Sequence, residues 1–257
     1  MKITILGSGT STGVPEIGCQ CEVCLSTDPK DKRLRSSILI EKDGVVILVD
    51  CGPDFRYQML KWVKNPPVAL LLTHHHYDHV GGLDDLRPLT RTDNFRVYAN
   101  DISVKQLYKT YEYMFAAQRY PGIPLIDLKE ISTNDFKIDG IQITPIRLFH
   151  YKLPVLGFRI NNFAYLTDFS EIHPDDLRKL EGVKFLIIEA VRHEPHIAHL
   201  TLSQAIDFAT KIGAEEVYFT HLSHYIGKHQ KINNELPSNM QLAYDGMEIL
   251  IDKYNLK

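Results

Sequence analysis

The chain has 257 residues, 44% of them hydrophobic, with a formal net charge of −3 and a sequence pI near 6.5. That apolar content suffices for a sizeable core, and the weak acidity argues against a protein that grips nucleic acid mainly by charge. No apolar run approaches the roughly 20 residues of a membrane helix, and Met1–Gly7 has one lysine and too short an apolar stretch for a signal peptide.

Lys2–Gly7 reads as a first β-strand, followed by a Gly/Ser/Thr turn and a cysteine-bearing loop. Ser37–Glu41 and Val45–Asp50 flank Lys42-Asp43-Gly44, a hairpin signal. Pro53–Lys61 reads as a short helix and Val68–Leu72 as a buried strand. Val80-Gly81-Gly82 turns the chain toward a helix, and Ser103–Phe115 has helical spacing at Val104, Leu107, Tyr111 and Met114. In the second half, Phe136–Asp139 and Ile141–Phe149 flank an Asp139-Gly140 turn, and Leu156–Ile160 and Ala164–Leu166 flank Asn161-Asn162. Helical Pro174–Leu180 precedes the strand Lys184–Ile188. Thr201–Lys211 is an amphipathic helix with an N-cap around Thr201 and a C-cap expected at Gly213. Val217–Thr220 is a strand, and Gln241–Ile251 closes the chain. With no repeat, low-complexity segment or long linker, residues 1–257 are expected to form a single domain of mixed α and β structure.

The strand Val68–Leu72 delivers Thr73-His74-His75-His76-Tyr77-Asp78-His79. Neutral nitrogen donors and a hard oxygen donor on a rigid strand end suit one or two divalent ions. A dinuclear site needs more ligands than this loop supplies. Three residues follow apolar strands in the same way: His150 after Ile141–Phe149, Asp168 after Ala164–Thr167, and His221 after Val217–Thr220. His75 reads as a non-ligand between two ligands, and His173 and His229 as ordinary solvated residues.

Cys19, Cys21 and Cys24 lie within one loop, a poor disulfide spacing and a good metal spacing. They imply a reducing, cytoplasmic compartment. Cys51 stands apart and reads as a small buried residue. Gly7-Ser8-Gly9-Thr10-Ser11-Thr12-Gly13 lacks the Gly-Lys-Ser/Thr ending of a nucleotide loop and reads as a strand-exit turn. Arg192, Lys152 and Arg87 are candidates for positive charge near a pocket, although each reads first as a surface residue.

The pattern His74-x-His76-x-Asp78-His79 resembles the signature of the metallo-β-lactamase superfamily, and the resemblance runs from the Gly7–Gly13 turn to the closing Ala243-Tyr244-Asp245-Gly246-Met247-Glu248. The cysteine trio is similar to that of the PhnP-like phosphodiesterases associated with carbon–phosphorus lyase. The resemblance implies a four-layered αββα sandwich. It implies that His74, His76 and His150 hold one ion, that Asp78, His79 and His221 hold a second, and that Asp168 bridges them beside a water or hydroxide. The cofactors implied are two catalytic Mn²⁺ or Zn²⁺ ions, with Fe²⁺ an alternative, and one structural Zn²⁺ held by Cys19, Cys21, Cys24 and the distant His224. It points to His199 as the histidine that contacts the phosphate, with His196 next and His193 nearby, and Asp78 is a candidate acid as well as a ligand. His76 is not a glutamate, which disfavours oxygen-reducing di-iron members, and Asp168 is not a cysteine, which disfavours the commonest antibiotic-hydrolysing ones.

The expected activity is hydrolysis of a small phosphodiester, such as a cyclic ribose phosphate or nucleotide-like molecule, by hydroxide bridging two metals. Neither a membrane nor nucleic acid is an expected partner; a homodimer is compatible with the sequence. Three alternatives stand beside this. Ribonuclease Z-like RNA cleavage shares the ligand set, but the chain has no basic Gly/Pro-rich arm. Thioester or lactone hydrolysis could use the same metals. A non-enzymatic metal-stabilised binding module would require the first site to be closed.

Overall fold

The computed structural model describes residues 1–91, 93–116 and 122–251. Among them, two sheets face each other. The first contains β1 (Lys2–Gly7), β2 (Ser37–Lys42), β3 (Val45–Val49), β4 (Ala69–Leu71), β5 (Phe95–Ala99) and β6 (Ile126–Glu130) in sequential order, and its far edge is closed by Glu248–Leu250 beside β1. β1 to β3 are antiparallel neighbours, whereas β3 to β6 run parallel.

The second sheet contains β7 (Phe136–Ile138), β8 (Ile141–His150), β9 (Leu153–Ile160), β10 (Phe163–Leu166), β11 (Glu171–Ile172), β12 (Phe185–Glu189), β13 (Glu216–Thr220) and β14 (Met240–Leu242). β8, β9 and β10 form an antiparallel meander; β10, β12, β13 and β14 run parallel.

Strand periodicity builds the layers. Ile38, Ile40, Ile47, Val49 and Leu71 point into the core between the sheets, where they meet Phe158, Phe163, Tyr165 and Ile187. Their neighbours Leu39, Leu48, Leu70 and Leu72 point outward under helices, with Phe55 and Leu107. The second sheet repeats the scheme: Leu186, Ile188, Val217 and Phe219 face Ala205 and Ala209 of the helix Leu202–Ile212. Strands covered on both faces read as continuous apolar runs, as Val45–Val49 and Phe185–Ile188 do. The result is the αββα sandwich of the metallo-β-lactamase fold.

Several local expectations need correction. The helical stretch expected over Ser103–Phe115 is broken at Tyr111 into Asp101–Thr110 and Glu112–Phe115. Asn100 caps the first piece through Ser103 N. Gln241–Ile251 is not one element: Met240–Leu242 joins the second sheet and Glu248–Leu250 the first, so the chain's end staples the two sheets. β5 and β6 carry charged residues and were not expected as strands. The helix Leu202–Ile212 is as expected, with a Thr201–Gln204 capping box and Gly213 at φ 77°.

His229 is the clearest reversal. It is buried rather than solvated: its backbone N–H donates to Asp31 (2.7 Å), and its Nδ1 lies 3.2 Å from an Nη of buried Arg33. His173, also read as solvated, is partly covered and caps the short helix Pro174–Leu177.

Candidate active site and metal centres

Strand ends from both sheets converge at one edge. In the first sheet, Asp50 follows β3 and Thr73-His74 follow β4. His76 precedes the one-turn helix Tyr77–Val80, which carries Asp78 and His79. In the second sheet, β8 ends in His150 and β12 in Glu189, while Asp168 and His221 stand just beyond β10 and β13. Parallel β10, β12 and β13 must present their carboxyl ends together, where open α/β sheets bind ligands. Asp50, Asp168 and His221 take left-handed backbone at φ 62°, 53° and 55°. Such conformations cost on the order of 1–3 kcal/mol each and cluster at functional sites.

The expected ligands are brought together. The rings of His74, His76 and His150 face one another, with centroids 4.5, 5.1 and 5.7 Å apart. The donor atoms of Asp78, His79, Asp168 and His221 lie within 4.8 Å of one another. One oxygen of Asp168 is 3.2 Å from both His79 Nε2 and His221 Nδ1. Asp168 also groups with His150 and His199, which places it between the two imidazole sets. His75 turns aside, 3.4 Å from the Ser103 hydroxyl.

The far sides of these rings are engaged. His79 Nδ1 donates to buried Asp50 at 2.7 Å, and the Thr73 hydroxyl bonds Asp50 and lies 3.0 Å from His74 Nδ1. His150 Nδ1 donates to the Ala198 carbonyl at 3.1 Å. With these nitrogens used, His74 Nε2, His79 Nε2 and His221 Nδ1 point inward, buried and without a hydrogen-bond partner. Orphaned buried ring nitrogens beside carboxylates are a poor arrangement without a cation and a good one with it. The donor set therefore fits divalent metal.

Electrostatics agree with this. Burial lowers His74 and brings His221 down to about 4, so both are neutral donors at pH 7. Burial works against ionised Asp168, but His221 and His79 outweigh it and hold the carboxyl well below its usual range. Burial likewise opposes a charge on His79, and Asp78, Asp168 and Asp50 overcome it.

Of the three histidines in Arg192–His199, the structure sets His199 over the site. Its ring lies 4.6 Å from that of His150 and 5.2 Å from that of His221, with Nδ1 4.0 Å from Asp168. Nδ1 donates to fully buried Glu189 at 2.7 Å. Burial disfavours a charged His199, yet Glu189 and then Asp168 lift it to about 9. His196 lies one ring farther out, 4.8 Å from His199, and accepts from Ala198 N. His193 turns away to the Ile226 carbonyl.

The second cluster is the cysteine loop. The sulfurs of Cys19, Cys21 and Cys24 stand 3.2, 3.3 and 3.5 Å from His224 Nδ1. Tetrahedral zinc with its ordinary bond lengths would set sulfur and nitrogen about 3.6 Å apart. The Cys24 backbone N–H brings the Cys21 thiol down to about 6, whereas burial pushes Cys24 up to about 11. Three sulfurs crowded on one ring nitrogen fit a closed metal site.

Residues 46–222 match the β-lactamase superfamily domain model. A solved structure described as a new diphosphatase from the PhnP family is 38% identical, with 96% of each chain covered and a TM-score of 0.90. This chain belongs to the β-lactamase superfamily, in its PhnP-like branch. Zinc-bound PqqB from Methylobacterium extorquens shares the fold at a TM-score of 0.80 and 18% identity, covering 98% of this chain and all of that one. Among curated proteins, an octanoyltransferase of Porphyromonas gingivalis is 42% identical over the whole of this chain, but the match covers 53% of that protein. The chain thus spans about half the length of that relative.

This PhnP-like chain has the metallo-β-lactamase fold, with a donor set that fits divalent metal. The Asp50 and Glu189 contacts escaped sequence reading. Both end apolar strands, as Asp168 and His221 do, so the same strand-end signal could have found them. The charge candidates are engaged elsewhere: Arg192 binds the Glu194 and Pro195 carbonyls, Arg87 pairs with Asp84, and Lys152 lies over Tyr151. Among the described residues, no helix is long and apolar enough to cross a membrane.

Proposed function

We propose that the protein hydrolyses small phosphodiesters, with cyclic ribose phosphates and nucleotide-like molecules as first candidates. One observation carries this reading: Asp168 stands between two sets of imidazoles whose inward nitrogens are buried and unpartnered. His74, His76 and His150 would hold one ion, Asp78, His79 and His221 a second, with Asp168 shared. Mn²⁺, Zn²⁺ or Fe²⁺ there would acidify water and draw charge from phosphoryl oxygens.

The chain's own groups supply the rest. Asp50 and Thr73 fix the rings of His79 and His74, and the Ala198 carbonyl fixes that of His150. Glu189 accepts from both His199 and the backbone N–H of Phe169, so one carboxylate orients His199 and the turn after Asp168. Protonated His199 has Nε2 free to donate to a phosphoryl oxygen or to the departing oxygen. Cys19, Cys21, Cys24 and His224 would hold a structural Zn²⁺ that ties the N-terminal loop to the strand-end segment carrying His221. A thiol-rich site of this kind suits a reducing, cytoplasmic compartment.

The test is turnover of bis(p-nitrophenyl) phosphate by protein loaded separately with Mn²⁺ and Zn²⁺. Metal-dependent cleavage is expected, and Asp168→Ala should lower it on the order of 10³-fold while the melting temperature stays near wild type. Absence of cleavage with every metal would reject the phosphodiesterase reading. The Porphyromonas relative's name favours a second reading, hydrolysis of an octanoyl thioester on the same metals. Release of thiol from an octanoyl thioester by the same metal-loaded protein, without phosphodiester cleavage, would select this reading.

A further inference from the structure

Four imidazoles of the site are held from behind by a hydroxyl, a carboxylate or a carbonyl; His221 is not. Its buried Nδ1 faces Asp168 at 3.2 Å without a hydrogen bond, and among the described residues no group holds its ring from behind. Its backbone is left-handed, at φ 55°, a conformation that persists only where the surroundings over-determine it. The placing of this ligand therefore falls to the main chain on either side of it. One edge is held by the extension of β12. The Thr220 carbonyl accepts from Ala190 N at 2.9 Å, and Ser223 donates from N at 3.1 Å and from Oγ at 2.6 Å to the Val191 carbonyl. The other edge is held by the Gly-rich turn: Leu222 N donates to the Ser8 carbonyl at 2.9 Å, and the Leu222 carbonyl accepts from Thr10 N at 3.1 Å.

Asp245 fixes that turn. One of its oxygens accepts from both N and Oγ of Ser8, each at 2.8 Å, and the other accepts from Leu34 N at 2.7 Å. The Leu34 carbonyl accepts in turn from Gly9 N at 2.7 Å, so the carboxylate joins the two segments that frame the turn. Buried Arg33 completes Ser8, donating from Nη1 to Oγ at 2.9 Å and to the Ala243 carbonyl at 2.6 Å. The turn at Gly246, where φ is 86° and N donates to the Ile5 carbonyl at 2.7 Å, aims Asp245 at these partners. Three donors converge on two oxygens, an arrangement that an ionised carboxylate satisfies and an amide, with its own N–H groups, cannot.

We propose that Asp245 is a positioning residue for the second ion: through Ser8 and Leu222 it sets where His221 stands relative to Asp78, His79 and Asp168. This rests on the two-ion reading of the site given above. Two hydrogen bonds and one peptide unit connect the carboxylate to the ligand. Groups that orient a metal ligand change its affinity for the ion tenfold or more when removed. His221 has no such group at its ring and has this one at its backbone. His74, His76 and His150 come from other strand ends, so the effect is confined to one ion.

Calorimetric titration of Mn²⁺ into protein with zinc in the cysteine site tests the assignment. Wild type should take two ions, and His221→Ala identifies the one that depends on His221. Asp245→Asn should weaken that same ion about tenfold and leave the other within about twofold. Ser8→Ala, which removes only the Oγ bond, should fall between. Asp176 supplies the control, a carboxylate that accepts from Arg147 N at 2.7 Å and has no bond to the His221 segment. Asp176→Asn should leave the His221-dependent ion unchanged. An unchanged affinity in Asp245→Asn, an equal loss for both ions, or the same loss in Asp176→Asn overturns the proposal and leaves Asp245 a structural role. Fewer than two ions bound by wild type would reject the two-ion reading and the proposal with it.

Discussion

The two donor clusters meet within one short segment, at His221 and His224, yet they are built by opposite means. At the first, the rings of His74, His79, His150 and His199 are each held from behind by Thr73, Asp50, the Ala198 carbonyl or Glu189. Its frame is strand ends from two sheets, and its geometry is set by hydrogen bonds within the protein. At the second, three sulfurs come from one loop outside either sheet. Among the described residues, His224 Nε2 is buried with no hydrogen-bond partner, and Glu16 stands 3.4 Å away. The first arrangement is pre-organised, as chemistry requires. The second gains its order from what it binds, as a folding element does.

The largest effect should therefore fall on stability at the claw. Cys21→Ser is expected to lose one zinc per chain and to lower the melting temperature by on the order of 10 °C. Activity per folded molecule at low temperature should change far less. Metal analysis and calorimetry on the same sample check this; unchanged zinc and melting temperature would break the contrast. The next effect falls on chemistry. Glu189→Gln should lower kcat roughly 10- to 100-fold with the metal content retained. Glu189 raises His199, and a raised histidine is charged below its pKa, so wild type should keep its proton donor up to about pH 9. Without that carboxylate the burial that disfavours a charged ring is opposed less, so the donor is lost at lower pH than in wild type. A shifted alkaline limb in kcat against pH would show orientation and protonation together, whereas a uniform loss at every pH would leave Glu189 a packing role.

Legibility in the sequence follows the same division. The fold and the grouping of the candidate ligands were readable because His74, His150, Asp168 and His221 each stand at or just beyond the end of an apolar strand, and strand ends in a parallel sheet converge. The apolar run Val217–Thr220 was enough to place His221 at a strand end. Asp50 and Glu189 were nonetheless passed over, since one acidic residue after a strand looks like any turn residue until its partner ring is located. Short strands such as Phe95–Ala99 carry too little pattern to be separated from loop. His229 failed for another reason. Its surroundings Lys228-His229-Gln230-Lys231 read as solvated, and only long-range partners, Asp31 and Arg33, reveal its burial.

That buried network is where the contrast can be sharpened further, with a smaller effect. Arg33 joins Ser8, the Ala243 carbonyl and His229, while Asp245 accepts from Ser8 and Leu34 N, so the segment bearing the cysteines is tied to the C-terminal region without metal. Burial, then Arg33 and Lys30, lower His229 to about 4. The unfolded chain binds this proton near pH 6.5, so the neutral ring contributes stability that is complete above that pH and is lost as pH falls toward 4. Asp245 acts in the opposite sense: burial raises it to about 6, so the folded state holds its proton over the same range and gains stability on acidification. His229→Gln keeps a polar group but cannot titrate. Its melting temperature, measured from pH 7 to pH 4, should fall less steeply than that of wild type. If the two slopes coincide, His229 contributes nothing to the acid sensitivity, and the buried network stabilises the claw region by packing and hydrogen bonds alone.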